Sequence, residues 1–489
     1  MEHFQLYIDG AFCAGADGIT MDSTNPATGD VWATFDCTGP QDVDRAVAAA
    51  RRALDDPAWR DLSQTARGKL IYRLADLIAE HAEKLGAIET TDSGKLAAET
   101  KAQTGYVADY YRYYAGLADK IEGAVLPIDK PDMHVFTQRM PIGVVAAVVP
   151  WNAQMFLAAT KLGPALAAGC TVILKASEVA PAPMLAFARL IDQAGFPPGV
   201  VQVITGDADG CAIPLTRHSH IDRIAFTGGP ETARHVVRNS AENFAVTTLE
   251  LGGKSPILVF EDADLDAAAN GLIAGNFGAS GQSCVAGTRG FVQRAVYDAV
   301  VARVTKIAQA LVVGDPHDAA THLGPLCTLA QVDKLEATLA SAQAQGARIA
   351  FGGARAAAGA HYMQPTLVLA DTSGVDTLKV EMFGPVMTLV PFDTEEEAIA
   401  LANDSDFGLG SGVFTQNLAR AHRVSSRIRS GITWVNTYRA ISPIAPFGGF
   451  NQSGYGREAG HEAILDYTRT KTTWINTSDA PMANPFVMR

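Results

Sequence analysis

Positive charge is in short supply in this chain: 39 Lys and Arg stand against 52 Asp and Glu, for a net charge of −13. A nucleic-acid binder needs a basic stripe, so that class of function is excluded. Cysteine is scarcer still. The six (Cys13, Cys37, Cys170, Cys211, Cys284 and Cys327) form no CxxC and no paired spacing. That excludes a disulfide framework and suits a reducing cytoplasm. The eleven histidines make no zinc signature, and "HSH" at 218–220 reads as exposed polar residues near a strand rather than a metal site. No metal is expected. No uninterrupted apolar stretch is long enough to span a bilayer. The opening "MEHFQLYIDGAFCAG" has no basic segment followed by an apolar run, so no secretory signal is expected. A cytoplasmic protein without membrane partners is the expectation.

What is present is apolar material for several cores. With 489 residues, 48 % of them hydrophobic and 19 % charged, two or three domains are expected. From Gly143 a regular alternation begins. "GVVAAVV" (143–149) is a continuous apolar run, as a parallel strand covered on both faces requires. A helix over 156–169, "TVILK" (171–175), a helix from about Pro181 to Gly195 and "VVQVI" (200–204) follow. Then come "RIAF" (223–226), a helix from about Glu231 and "VTTLE" (246–250). Strands alternating with helices at this pitch imply βαβ units and a parallel sheet, which binds ligands at the carboxyl ends of its strands. The alternation restarts at "PILVF" (256–260) and runs through an alanine-rich helix, "RGFVQR", "VMTLVPF" (386–392) and "GITWVN" (431–436). A second α/β domain is predicted. The amphipathic segment 41–116 is expected to pack on the first sheet. Segments 119–141 and the tail from Arg469 read as strands without partners in their own domains. Edge strands need cover, so these are expected to pair with each other or across a subunit boundary.

The stretch "GNFGASGQSCVAGTRG" (275–290) sets Cys284 among glycines, alanines and small hydroxyl residues. A packing cysteine normally has bulky apolar neighbours, whereas a working thiol needs access and close backbone approach. Two further polar residues end strands: Asn152, after Pro150 and Trp151, and Glu250, before a Gly-Gly turn. Singly, Asn152 reads as a turn-capping amide and Glu250 as a solvated carboxylate. Together with Cys284 they supply a nucleophile, a carboxylate base and an amide donor, the minimum for acyl chemistry.

The motifs "PWN" (150–152), "KLGPALAAG" (161–169), "KASE" (175–178), "FTGG" (226–229), "LELGGKSP" (249–256), "GQSC" (281–284), "EMFGPV" (381–386) and "PFGGFNQSGYGRE" (446–458) resemble the aldehyde dehydrogenase superfamily, in its order and over nearly the whole chain. The resemblance implies an α/β fold with two Rossmann-like domains and a small β oligomerisation arm. Residues 1–118 and 142–251 would bind the dinucleotide and 252–468 would carry catalysis. Segments 119–141 and 469–489 would join subunits into a homodimer or homotetramer. The implied reaction is NAD-dependent oxidation of an aldehyde to a carboxylate. Cys284 would attack the carbonyl, Asn152 and the Cys284 N–H would hold the oxyanion, and Glu250 would activate the water that frees the thioester. Glu250 argues against a coenzyme A-acylating member, because water must be kept from that thioester. Two further readings are a catalytically silent structural protein on this fold and a thiol hydrolase without redox chemistry. The intact set opposes the first, and no histidine stands near Cys284 in sequence to support the second.

There is no GxGxxG, so a standard dinucleotide fingerprint search misses this chain. The resemblance instead puts the cofactor near the "FTGG" turn and the helix N-terminus behind it. Trp151, Lys175, Ser177, Glu178, Gly228, Gly229, Leu251, Glu381 and Phe383 are the implied cofactor residues. Gly229 stands where the family often has Ser, and Ala233 where a second glycine is common, so one phosphate-binding hydroxyl is lost. Lys175 and Glu178 would hold the adenine ribose, and the Glu178 charge favours NAD over NADP. Glu381 would bind the nicotinamide ribose, with Phe383 packed beside it. The implied aldehyde tunnel comprises Ala153, Phe156, Thr160, Ser283, Val285, Arg439, Ile441 and Phe447. Ala153 and Thr160 fall where members acting on small aliphatic aldehydes often carry aromatics, so a wider tunnel is expected. Arg439, in "NTYRAISP", is a candidate bidentate partner for a substrate carboxylate. The plain reading is an arginine facing a neighbouring acidic side chain or the subunit boundary. The tail "DAPMANPFVMR" is expected either to lie over a neighbouring subunit or to be a disordered end.

Overall fold

The structure is a computed structural model that describes residues 1–482 and 484–487. Its first sheet forms where the sequence is most continuously apolar. Five parallel strands make its centre, in the spatial order Val246–Leu251, Arg223–Gly228, Val144–Val148, Thr171–Ala176, Val201–Thr205. Every residue of Val144–Val148 is buried, because helices cover both faces of the sheet. The chain starts this sheet in the middle, at Val144–Val148, and moves outward through Thr171–Ala176 and Val201–Thr205. It then crosses back to lay Arg223–Gly228 on the other side of the first strand. The winding direction reverses between Val144–Val148 and Arg223–Gly228. A crevice opens at such a reversal, outside the carboxyl ends of the two strands.

Two antiparallel additions widen this sheet. Leu6–Ile8 and Ala11–Cys13 extend one edge. Gly454–Tyr455 extends the other, pairing Tyr455 with Leu249 and Gly454 with Glu250. This short strand comes from far along the chain and lies directly beside Glu250.

The second sheet has seven strands, in the order Arg348–Phe351, Thr366–Leu369, Val386–Phe392, Arg289–Gln293, Pro256–Val259, Gly410–Phe414, Ile432–Val435. All run parallel except the first. Val386–Phe392 is buried along its whole length. The 41–116 segment forms four main helices, Pro40–Asp55, Gln64–Glu80, Ala82–Ser93 and Ala97–Leu117. Ile71, Leu74, Val107 and Tyr111 from these helices share a core with Val145, Val172 and Val203 of the first sheet.

The two orphan segments find each other within one chain. Met133–Pro141 pairs antiparallel with Thr468–Asn476 along its whole length. Residues 121–132 before it hold only an isolated bridge, Val125 to Phe136, so the strand reading of 119–141 holds for its final third. The expectation for "DAPMANPFVMR" extends to Ala483, Met488 and Arg489, which lie outside the described residues. Met482, Phe486 and Val487 of that tail are exposed. Among the described residues, no helix is long and apolar enough to cross a membrane.

Candidate active site

Two cavities, of about 230 and 260 Å³, share Asn152, Leu157 and Cys284 in their walls. The first occupies the crevice at the winding reversal. Trp151, Thr227, Gly228 and Gly229 come from the ends of its two bordering strands. Glu250, Leu251 and Gly252 come from the next strand, and Glu381 and Phe383 from the second half of the chain.

Cys284 reaches this junction by an abrupt turn. The helix Leu265–Phe277 ends at Gly278, and Ala279 and Ser280 both take left-handed backbone angles, with φ of 53° and 52°. Such angles cost non-glycine residues of order 1 kcal/mol each and are kept where the surroundings impose them. The turn leaves Cys284 half-buried. Opposite it, a Cβ on Gly253 would stand 2.7 Å from the Cys284 carbonyl oxygen, so the Gly-Gly turn is what lets these backbones meet. Burial pushes the Cys284 thiol up to about 12. The charges of Glu381 and Glu250 act in the same direction, and Arg439 and the Val285 N–H oppose them.

Glu250, the last residue but one of its strand, lies beside the Gly454–Tyr455 edge, and a Cβ on Gly448 would come within 2.7 Å of its Oε1. Both carboxylate oxygens are buried with no hydrogen-bond partner among the described residues. Burial first, and then the Glu458 charge, raise its pKa well above the ordinary carboxylate range, against the pull of Lys161 and Arg457. A buried acceptor left unpaired costs about 1–3 kcal/mol and calls for a functional account. A carboxylate that lines the same cavity as Cys284 and lacks a partner is suited to bind and polarise a water.

Both groups are raised, so their protonated forms dominate at low pH and the reactive form, with one proton lost from the pair, fills only as pH rises. We expect kcat/KM to rise with pH, with an apparent pKa above that of a free carboxylic acid. Alkylation of Cys284 by iodoacetamide should rise in the same direction. A rate of alkylation that does not change with pH would mean a preformed thiolate, contrary to this geometry.

Asn152 follows its strand directly and donates through Nδ2 to the carbonyl of Gln282 at 3.0 Å. Its amide is thus tied to the loop that carries Cys284, and its second N–H stays free for a ligand. Gln282 is anchored in turn, its Oε1 accepting from the Cys327 N–H at 2.9 Å.

Six of the expected cofactor residues (Trp151, Gly228, Gly229, Leu251, Glu381 and Phe383) line the first cavity with Cys284, Glu250 and Asn152. The Trp151 and Phe383 rings meet edge to face, with centroids 5.6 Å apart. Glu381 accepts from the Gly253 N–H at 3.0 Å, and burial raises its pKa. Lys175, Ser177 and Glu178 stand outside the cavity wall, at the carboxyl end of the neighbouring strand. There Lys175 Nζ pairs with Glu178 at 2.6 Å, and the Ser177 hydroxyl accepts from the Val179 N–H. Gln331 and Lys334, one turn apart on the helix Leu329–Ala344, also line the cavity. Sequence reasoning missed them, and only their spacing on one helix face hinted at a shared role.

The second cavity is walled by Ala153, Phe156, Ser283, Val285, Arg439, Ile441 and Phe447, as expected, but Thr160 is not in its wall. This corrects the tunnel reading. Thr160 is buried and donates to Glu458 Oε2 at 2.6 Å, while Lys161 Nζ holds Glu458 Oε1. Thr160 thus braces the carboxylate that sets the field at Glu250. The wall also includes Lys95, Glu99 and Gln103. Glu99 and Gln103 stand four apart on the helix Ala97–Leu117 and Lys95 in the loop before it, but nothing in sequence told which cavity they would meet.

The Aldehyde dehydrogenase family model matches residues 12–473. The chain belongs to that family. Over 492 aligned residues, covering all of both chains, it is 54 % identical to the (Z)-2-((N-methylformamido)methylene)-5-hydroxybutyrolactone dehydrogenase of Acinetobacter baylyi. Its fold matches an aldehyde dehydrogenase of Bacillus cereus solved as an NAD+ complex, with a TM-score of 0.96 and 39 % identity over 98 % of this chain and 97 % of the other. It also matches the betaine aldehyde dehydrogenase of Staphylococcus aureus in complex with NAD+, at a TM-score of 0.96 and 35 % identity over 99 % of this chain and 96 % of the other. Aldehyde oxidation is accordingly the reaction class of this enzyme.

Proposed function

We propose that this aldehyde dehydrogenase uses NAD to oxidise aldehydes that also carry a carboxylate, and that it releases the product by hydrolysis. The observation that carries the substrate class is Arg439. Its guanidinium lies in the wall of the second cavity, close enough to Cys284 to lower the thiol pKa. Its only hydrogen bond among the described residues is a long one, 3.4 Å, to the Ala274 carbonyl, and it makes no ion pair there. Lys95 adds a second cation to the same wall. The Acinetobacter relative's substrate fits this chemistry, since a 5-hydroxybutyrolactone is the ring form of a 4-oxo acid, with an aldehyde at one end and a carboxylate at the other.

The first cavity suits a dinucleotide. The helix Pro230–Asn243 begins at Gly229, where a side chain would project into open space, so its N-terminal N–H groups are accessible to a pyrophosphate. Trp151 and Phe383 offer aromatic walls for a nicotinamide, and Lys175 with Glu178 would hold the adenine ribose. The Glu178 carboxylate repels a 2′-phosphate, which favours NAD over NADP. When bound, NAD supplies a hydride acceptor.

The chain's own groups carry the remaining steps. The Cys284 thiol gives its proton to a nearby base or to solvent, and its sulfur adds to the aldehyde carbon. The free N–H of Asn152 and the Cys284 backbone N–H hold the oxyanion. Losing one such donor typically costs roughly a hundredfold to a thousandfold in rate. After oxidation Cys284 carries a thioester, and Glu250 deprotonates the water that cleaves it. Glu250 in the same cavity as Cys284 favours this hydrolytic ending over transfer to coenzyme A. The ribbon of Met133–Pro141 and Thr468–Asn476, with Trp474 and Ile475 exposed, would join subunits in a cytoplasmic homo-oligomer.

Arg439→Ala tests the substrate class. The ratio of kcat/KM for succinic semialdehyde to that for butanal should fall about 10- to 100-fold, the size of a lost charge-assisted hydrogen bond. An unchanged ratio would leave Arg439 without a part in recognition.

A further inference from the structure

We propose that Glu99 opens the cyclic hydroxylactone form of the substrate inside the second cavity, before Cys284 attacks. This rests on the acidic-substrate reading above and adds a chemical step to it. A hydroxylactone has no aldehyde carbon for a thiol to attack. Its oxidisable carbon is tetrahedral, and its single carbonyl is the wrong one. Opening the ring needs a base for the hydroxyl proton and a cation for the departing carboxylate. Glu250 is not available for this, because it lines the first cavity and not the second.

Glu99 is the only carboxylate in the wall of the second cavity among the described residues. Its Oε1 is fixed by the Ala279 N–H at 2.9 Å, while its Oε2 is buried with no partner. Arg439 rests against the residue just before Ala279, because a Cβ on Gly278 would overlap its Nη1. The turn at 278–280 thus meets an acceptor with one unpaired oxygen at Ala279 and a cation at Gly278, and both side chains line the cavity that contains the sulfur. Lys95 donates two of its three N–H groups, to Glu89 and Gln103, and keeps one for the cavity. Glu99 and Lys95 have no part in thiol attack or thioester hydrolysis.

The step balances without any co-reactant. Glu99 Oε2 takes the proton from the ring hydroxyl, and the O–H electron pair becomes the aldehyde C=O. The ring C–O bond breaks, and its electron pair leaves as a carboxylate that Arg439 receives. Glu99 later returns its proton to solvent. Reclosure is an intramolecular reaction and inherently fast, so capture of the carboxylate by Arg439 also keeps the aldehyde open for Cys284.

The probes are 5-hydroxy-2(5H)-furanone, a ring-closed hydroxylactone, and succinic semialdehyde, which is open. Cys284→Ala protein without dinucleotide should accelerate ring–chain exchange of the furanone, followed by saturation-transfer NMR, by roughly 10²-fold, the usual yield of one general base. Adding Glu99→Gln should return the exchange to its buffer rate, with the melting temperature confirming a folded protein. In otherwise intact enzyme, Glu99→Gln should lower the furanone-to-semialdehyde ratio of kcat/KM by a similar factor. Exchange that is no faster with Cys284→Ala protein than in buffer, or a ratio unmoved by Glu99→Gln, overturns ring opening. The acidic-substrate reading falls on a separate result, the Arg439→Ala ratio given above.

Discussion

Cys284→Ala protein is expected to form NADH from no aldehyde, a loss of roughly 10⁴-fold or more, as removal of a covalent nucleophile produces elsewhere. The loss should leave the fold intact. Cys284 is half-buried, its side chain is small, and the loop that carries it is held by backbone contacts to Gln282 and Ala279 rather than by the sulfur. Stability should change by no more than about 0.5–1 kcal/mol, and dinucleotide titration should give an unchanged affinity. Thiol alkylation of the parent protein should abolish turnover in step with modification of this one residue. Of the other five cysteines, Cys37, Cys170, Cys211 and Cys327 are buried, and Cys13, half-buried like Cys284, lines neither cavity. Undiminished NADH formation by Cys284→Ala would refute the covalent route.

Glu250→Gln is expected to stop the enzyme at a different point. The amide keeps the shape of the side chain but accepts no proton, so water is not activated against the thioester and kcat should fall roughly 10²- to 10⁴-fold. Intact-mass measurement during turnover should then find the protein carrying its acyl group. Hydroxylamine, which attacks thioesters without a base, should restore part of the turnover. A variant that is equally slow but stays unmodified would shift the role of Glu250 to thiol activation alone. The unpaired oxygens of Glu250 make the first outcome the expected one, since a water fits their unmet bonding.

Most strands could be read from sequence because their runs are apolar without interruption. "GVVAAVV" and "VMTLVPF" became Val144–Val148 and Val386–Phe392 with shifts of at most one residue. Strand order was not legible in this way. Nothing in the apolar runs themselves says that Arg223–Gly228 crosses back beside Val144–Val148, yet that reversal creates the first cavity. Cys284, Glu250 and Asn152 drew notice because small or turn residues surround each polar group. Thr160 misled because it lies one helical turn from Phe156, which does line the cavity. In a helix buried on every side, one turn of separation does not decide which neighbour a hydroxyl meets, and here Glu458 offered the stronger acceptor. Glu99 stayed hidden because its partner, the Ala279 N–H, is 180 residues away in sequence, and Lys95 and Gln103, which bond each other, because the cavity they line is closed by residues far along the chain.

The Gly454–Tyr455 edge bears on how the enzyme matures. Gly454 pairs with Glu250, Gly448 abuts the Glu250 carboxylate, and Glu458 sets the charge around it. All three contacts come from chain that leaves the ribosome after residue 440. A nascent chain at that point already contains Cys284 and every parallel strand of both sheets. The Glu250 side chain acquires its surroundings only when this late edge has been made.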